Sequence, residues 1–223
     1  MRSKLTILVG CLCAFLVMLP SATATAGQLR ISAAAYTRTV DASIDFDDGS
    51  SAELTTRRYG AEYWETLQPG IQGGFVIGYS ESELRGGGLL QETASGSFGG
   101  LGLRFQWPLT ARLDATGSID YLYQRDRRST DINEYRFRTL ERTATAGLRY
   151  RAGVVLLGGG GYAGDIDFHQ EDEGTGATLA AGERRRSGSY VELGLLAARG
   201  GVMLLRFEQG VVDGWSLRYE RNF

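Results

Sequence analysis

Cysteine, lysine and proline are scarce in this chain of 223 residues. Its two cysteines, Cys11 and Cys13, lie near the N terminus, in a segment that we expect to be removed. The mature chain would then have no disulfide, no thiol nucleophile and no thiolate metal site. Lys4 is the only lysine, so the other cations are arginines. The formal net charge of −2 argues against a nucleic-acid partner bound through a basic face.

Long apolar runs are also missing, with one exception at residues 5–19, which is short for a membrane-spanning helix. Positively charged residues precede this run, and the small-residue pattern Ala24-Thr25-Ala26 follows it. These features predict a secretory signal peptide at 1–26 and a mature domain at 27–223. A retained anchor helix and a lipoprotein processing box at 8–11 are the alternatives.

Apolar residues occupy every second position in many segments, which is the pattern of strands with one apolar and one polar face. Residues 112–125 show the pattern most clearly. In a later segment, Tyr135 and Phe137 share a face with Glu141, so we expect a bulge there to change the phase. The alternation predicts ten strands, at 29–40, 54–67, 71–84, 95–107, 111–126, 135–151, 154–168, 188–199, 202–209 and 214–223.

Short and long connections alternate along most of the chain. The short ones are at 68–70, 108–110, 152–153 and 200–201, and the long polar ones are at 41–53, 85–94, 127–134 and 169–187. This alternation is typical of transmembrane barrels, and most of the strands have the roughly 9–11 residues needed to cross a bilayer. A sheet in lipid must close, because hydrocarbon offers no partner to an unpaired edge amide. We therefore predict an all-β fold, a closed antiparallel transmembrane up-and-down β-barrel of ten strands. An eight-stranded barrel and a soluble secreted β-sandwich are the alternatives.

The chain ends on Phe223, preceded on the same predicted face by Trp215, Leu217 and Tyr219. This ending resembles the C-terminal assembly signal of bacterial outer-membrane β-barrel proteins. Arg221 departs from the pattern, since an apolar or aromatic residue is more usual there. The resemblance implies recognition by the barrel assembly machinery and location in the bacterial outer membrane after export, without identifying a subfamily. We expect a monomer whose partners are outer-membrane lipid and lipopolysaccharide.

The polar faces of the predicted strands carry charges of both signs. We expect a polar network in the lumen formed by Arg104, Arg112, Asp114, Asp120, Glu192, Arg206, Arg218 and Glu220. The same faces also include Arg30, Arg38, Arg58, Glu62, Glu141, Arg149 and Glu208. The lumen of a barrel of about eight to ten strands is narrow, so mixed charges favour a salt-bridged plug. A narrow passive pore for ions or small solutes is the alternative.

Two arginine clusters fall in predicted loops, one formed by Arg125, Arg127 and Arg128 and the other at 184–186. Such clusters can bind the phosphates of lipopolysaccharide. The alternative is a solvated loop neutralised by acidic neighbours such as Asp126 and Asp131. Because opposite charges are so close in sequence, we favour the solvated loop.

The only histidine, His169, alternates with Asp165 and Asp167 at the end of the seventh predicted strand, and Glu81 and Glu83 stand similarly on the third. Carboxylates and an Asp-x-His at a barrel mouth are similar to the omptin proteases, in which such residues activate water. We therefore keep Asp167 and His169 as weak catalytic candidates and leave enzyme activity open. The carboxylates at 41–48 lack the spacing of a calcium loop, so no cofactor or metal is expected.

The expected function is structural, adhesive or surface-interacting, through the loops. The passive pore is one alternative, and an omptin-like or lipid-modifying outer-membrane hydrolase is the other. The histidine–serine pattern of the outer-membrane lipid A deacylases is absent, because Gln170 follows His169.

Overall fold

Ten antiparallel strands form one closed barrel, in which each strand pairs with its neighbours in sequence and β1 pairs with β10. The predicted fold class and strand number are therefore confirmed. The computed structural model describes residues 31–45, 49, 51–85, 92–129, 134–172, 178–197, 200–210 and 212–223, so the predicted signal peptide lies outside the described residues. The strands are β1 Ile31–Asp45, β2 Ser51–Gln68, β3 Ile71–Arg85, β4 Glu92–Pro108, β5 Leu113–Ser129, β6 Glu134–Ala152, β7 Val155–Asp172, β8 Thr178–Leu196, β9 Gly201–Gly210 and β10 Val212–Asn222.

The two ends of the barrel differ in their connections. The turns 69–70, 109–112 and 153–154 lie at one end, together with the end of β8, the start of β9, the start of β1 and the end of β10. We call this the turn end, and the opposite end the loop end. Gly70 lies in the first of these turns with a backbone φ of 83°, a left-handed conformation that costs glycine little.

Most of the residues predicted to form long loops belong to strands instead. β7 extends to Asp172 and β8 begins at Thr178, so residues 169–172 and 178–187 of the predicted loop 169–187 belong to strands. The prediction was wrong because the two-residue alternation continues beyond the apolar part of each strand. In β7, for example, Phe168 is buried while its neighbour His169 is exposed. The strands therefore extend beyond the apolar part of the barrel surface at the loop end.

The bulge predicted in the sixth strand does not occur. β6 pairs with β5 and β7 in continuous register through Tyr135, Phe137 and Glu141. All three side chains therefore lie on the inward face without any change of phase. A register shift occurs instead between β7 and β8, at Ile166 and Phe168.

The outer surface carries the large apolar side chains. Residues such as Ile77, Leu101, Ile119 and Val191 are more than half exposed, and each points away from the lumen. We call this surface the apolar band; its members include Phe75, Ile77, Tyr79, Leu101, Leu103, Trp107, Ile119, Tyr121, Tyr123, Leu148, Tyr150, Leu157, Val191, Leu193, Leu195, Met203, Phe207, Trp215 and Leu217. A soluble β-sandwich would bury such residues between two sheets, so the sandwich alternative is not the fold. Over the described ranges, no helix combines the length and the apolar character that a membrane span needs.

Candidate functional site

The lumen is filled by side chains in layers, and the layer nearest the turn end is charged. Arg104 donates hydrogen bonds to Glu62 at 2.5 Å and to Glu220 at 3.2 Å. Its guanidinium carbon lies 3.6 Å from the centroid of the Trp64 ring, and the Trp64 indole donates to Glu62 at 3.0 Å. Arg218 is 3.8 Å from both carboxylates. Two arginines thus share two carboxylates, and one of the two, Arg104, stacks on the indole ring.

A second charged layer lies against β8 and β9. The Nε and Nη2 atoms of Arg149 both donate to one carboxylate oxygen of Glu192, at 2.9 and 2.6 Å. Arg206 lies over the Tyr190 ring, 3.6 Å from its centroid, and 3.2 Å from Glu208. Arg206 thus combines an ion pair with stacking on an aromatic ring, as its planar guanidinium allows.

The centre of the lumen contains an ion-pair network that spans the barrel, and we call it the central network. Arg38 bridges Glu141 at 2.9 Å and Glu208 at 2.8 Å. Arg58 pairs with the other oxygen of Glu141 at 2.6 Å and donates from Nε to Gln124 at 2.7 Å. Only 2% of the Arg58 surface is exposed. The network therefore joins four separate strands, and its Arg58–Glu141 pair is almost fully buried.

A buried carboxylate lies next to the central network. Asp126 is fully buried and accepts hydrogen bonds from Ser80 at 2.5 Å and from Ser82 at 2.6 Å. Gln124 donates a third bond to Asp126 at 2.6 Å, while its carbonyl accepts from Arg58. The amide of Gln124 therefore connects this carboxylate to the central network.

Toward the loop end the lumen becomes apolar. Ala52, Leu54, Leu84 and Phe168 form a buried cluster, against which Phe137 packs. The rings of Phe137 and Phe168 lie 5.9 Å apart between centroids. We call these five residues the apolar cap. It lies on the loop-end side of the charged layers, on the inward faces of β2, β3, β6 and β7.

Inward-facing glycines make room for the aromatic rings of the lumen. A Cβ atom on Gly147 would collide with the hydroxyl of Tyr190. One on Gly78 would lie 2.7 Å from the Phe98 ring, closer than real Cβ contacts allow. The glycine content of these strands thus reflects close packing inside the barrel.

The structure brings most of the residues of the predicted lumen network into the lumen. Arg104, Asp120, Glu192, Arg206, Arg218 and Glu220 lie inside it. Arg112 lies elsewhere, exposed in the turn 109–112. Asp114 is on the inward face of β5 at the turn end, where it accepts a hydrogen bond from Gln106. The sequence analysis missed the role of Asp126: it ends the predicted strand 111–126 and continues the inward alternation of Gln124, but was interpreted as a countercharge for the neighbouring arginines.

The candidate catalytic residues are not assembled into a site. His169 is exposed on the outer face, and Arg142 pairs with Asp165 at 3.1 Å and with Asp167 at 3.7 Å. Glu81 lies on β3, which three strands separate from β7. Within the part of the chain that the structure describes, no group of three or more His, Cys, Asp or Glu side chains could hold a metal ion.

The C-terminal residues lie on the outer face of β10. Trp215 and Leu217 are exposed members of the apolar band, and Tyr219 follows them on the same face. The guanidinium of Arg221 lies 5.2 Å from the centroid of the Phe223 ring. Arg221 therefore contacts the terminal aromatic residue that it precedes.

Several solved outer-membrane proteins are similar to this chain in fold. The transport unit of the autotransporter AIDA-I from Escherichia coli is similar with a TM-score of 0.51 and 8% identity, over 93% of this chain and 94% of that one. The translocator domain of the autotransporter NalP from Neisseria meningitidis has a TM-score of 0.47 and 11% identity, over 100% and 96% of the two chains. Ail, the attachment invasion locus protein of Yersinia pestis, has a TM-score of 0.42 and 14% identity, over 87% and 98%. No protein-family model matches the chain, and no curated protein sequence matches it.

Proposed function

Because the chain has the fold of outer-membrane β-barrel proteins, we propose that it is a small outer-membrane barrel whose lumen is closed by its own side chains. Its role is then structural or interactive, exerted through the surface at the loop end. The observation that carries this proposal is the stack of the charged layers, the central network and the apolar cap. A pore would need a continuous water-filled path through that stack.

The orientation follows from the two ends of the barrel. In barrels of this kind, short turns face the periplasm and the longer connections face outward. The turn end is therefore the periplasmic end in our proposal, and the projecting strands stand outside the membrane. Export by the predicted signal peptide at 1–26 and assembly as a monomer complete the proposal.

The apolar band supports membrane placement. Contiguous apolar surface of this extent is rare on soluble monomers, whereas lipid chains solvate it well. Cell fractionation and a heat-dependent shift of the folded band in gel electrophoresis test the placement. Recovery of the mature protein as a soluble periplasmic species would contradict it.

A narrow pore is the second candidate function, and one observation favours it. About a fifth of the Arg149 and Arg218 side-chain surface, 20% and 23%, is exposed, so water enters the lumen from the turn end. The two proposals differ in whether this water reaches the other end. The rate at which proteoliposomes swell in a hyperosmotic arabinose solution distinguishes the two proposals. If the lumen is closed, the proteoliposomes swell no faster than vesicles without protein; faster swelling supports the pore.

A further inference from the structure

Four arginines form a square on the outer face of β5 and β6, just beyond the apolar band on the loop-end side. Arg125 is the direct cross-strand partner of Arg138, and Arg127 is the partner of Arg136. We call these four residues the arginine block. Like charges placed directly opposite each other on one face of a sheet repel, so the block is unfavourable unless an anion lies between its members.

The acidic residue within the block's β5 segment faces away from the arginines. Asp126 lies between Arg125 and Arg127 in sequence, but strand alternation turns its carboxylate into the lumen, where it is fully buried. Within the described part of the chain, no ion pair forms to Arg125 or Arg127. The solvated-loop interpretation rested in part on Asp126, whose carboxylate faces away from the block. Its other acidic neighbour, Asp131, lies outside the described residues.

The acidic partners of the β6 arginines are at the edge of the block. Arg138 lies 3.4 Å from Glu171, and both side chains are well exposed. Arg136 lies 4.0 Å from Glu134 and is the direct cross-strand partner of Glu171 on the same outer face. Exposed pairs contribute little, and they involve only the β6 arginines, so the two β5 arginines leave positive charge at this place on the outer face.

The position of the arginine block next to the apolar band indicates that its ligand is a lipid. On the outer face of β5, Tyr121 and Tyr123 belong to the apolar band, and Arg125 and Arg127 follow at the next two outward positions. Aromatic residues of this kind lie at the boundary between hydrocarbon and headgroups, which puts the arginines at the level of headgroup phosphates. Arginine suits this contact because its planar fork binds two phosphate oxygens at once.

We propose that the arginine block binds the phosphorylated headgroup of a membrane lipid, with its acyl chains lying along the apolar band below. The two cross-strand pairs suit a headgroup that carries two phosphates, one for each pair. This inference rests on the membrane placement proposed above. It names a site on the wall of the barrel that is separate from the lumen and the apolar cap.

Native mass spectrometry of the full mature chain in detergent micelles tests the proposal. The probes are a bisphosphorylated disaccharide glycolipid, the same glycolipid without phosphates, and inorganic phosphate. The wild-type barrel should retain the bisphosphorylated glycolipid, and the double variant Arg125→Gln with Arg127→Gln should retain about tenfold less, because charge-assisted hydrogen bonds are lost. The double variant Arg112→Gln with Arg151→Gln removes the same charge from the turn end and should bind as wild type does.

A second pair of substitutions keeps the test independent of any one strand. Arg136→Gln with Arg138→Gln should cause a loss similar to that of the β5 variant. Without lipid, both block variants should melt at or above the wild-type temperature, because repulsion is relieved. The proposal is overturned if the wild type and both variants retain the bisphosphorylated glycolipid equally, or if the wild type binds the phosphate-free glycolipid equally well. It is also overturned if the wild type binds inorganic phosphate alone, or if the block variants melt at a lower temperature than the wild type without lipid. These outcomes are separate from fractionation, which tests membrane placement itself.

Discussion

Removal of the Glu141 carboxylate is the sharpest perturbation of the lumen. In Glu141→Ala, Arg58 loses a carboxylate oxygen at 2.6 Å while remaining buried, with 2% of its surface exposed. Arg38 loses the same partner but keeps Glu208 at 2.8 Å. Leaving one buried charge unpaired costs about 3–5 kcal/mol, so we expect a loss of that size in the free energy of unfolding.

Urea unfolding of the folded barrel in lipid vesicles, followed by tryptophan fluorescence, measures this loss. The matched control is Glu83→Ala on the outer face of β3. Glu83 pairs with Arg85 at a similar distance, 2.8 Å, but the Arg85 side chain is 59% exposed. Exposed pairs contribute about 0–1 kcal/mol, so the control should lose no more than that.

Replacement of both charges sharpens the same test. In the double variant Arg58→Met with Glu141→Leu, no unpaired charge remains at Arg58, so most of the lost stability should return. A Glu141→Ala variant that loses no more stability than Glu83→Ala would refute the reasoning. It would mean that water reaches the central network and that the lumen is not closed there.

Three further predictions concern the cap, the packing and the C terminus. Phe168→Ala should cost about 3–5 kcal/mol in the same urea assay, because it leaves a cavity in the apolar cap; a loss below that of Glu83→Ala would contradict the cap. Gly147→Ala should lower the free energy of unfolding by about 1–3 kcal/mol, because the new Cβ collides with Tyr190. Gly99→Ala, whose Cβ meets only ordinary contacts, should leave the stability nearly unchanged. Equal losses in the two variants would argue against close packing. Phe223→Ala should lower the amount of folded barrel in cells while refolding in detergent stays unchanged; equal yields in cells would argue against an assembly signal at the C terminus.

The fold was predictable because alternation is a local property of the sequence. In β5, the alternation of residues 113–123 identifies one apolar and one polar face, and no information about any other strand is needed. The ends of the strands were harder to predict, since polarity was taken to mark a loop. In β7, Asp165 and Asp167 are polar because they face solvent beyond the apolar band, and the strand continues through them.

The site was predictable only in part, because its contacts depend on register. The inward face of each strand identified Arg104, Glu192 and Arg218 as lumen residues without naming their partners. The pairing of Arg125 with Arg138 is set by how β5 and β6 align across the connection 130–133, which composition does not encode. Closeness in sequence also gave a wrong countercharge for the arginine cluster, because Asp126 faces the lumen while Arg127 lies on the outer surface of the barrel.

Ion conductance across a planar lipid bilayer tests the closed lumen most directly. The central network and the apolar cap predict that the reconstituted wild-type barrel produces no steady current at moderate voltage. Removal of cap side chains, in Phe168→Ala with Leu54→Ala, should raise the frequency of openings and serves as the comparison. Steady open channels in the wild-type protein, at a level that the cap variant does not change, would contradict the closed lumen.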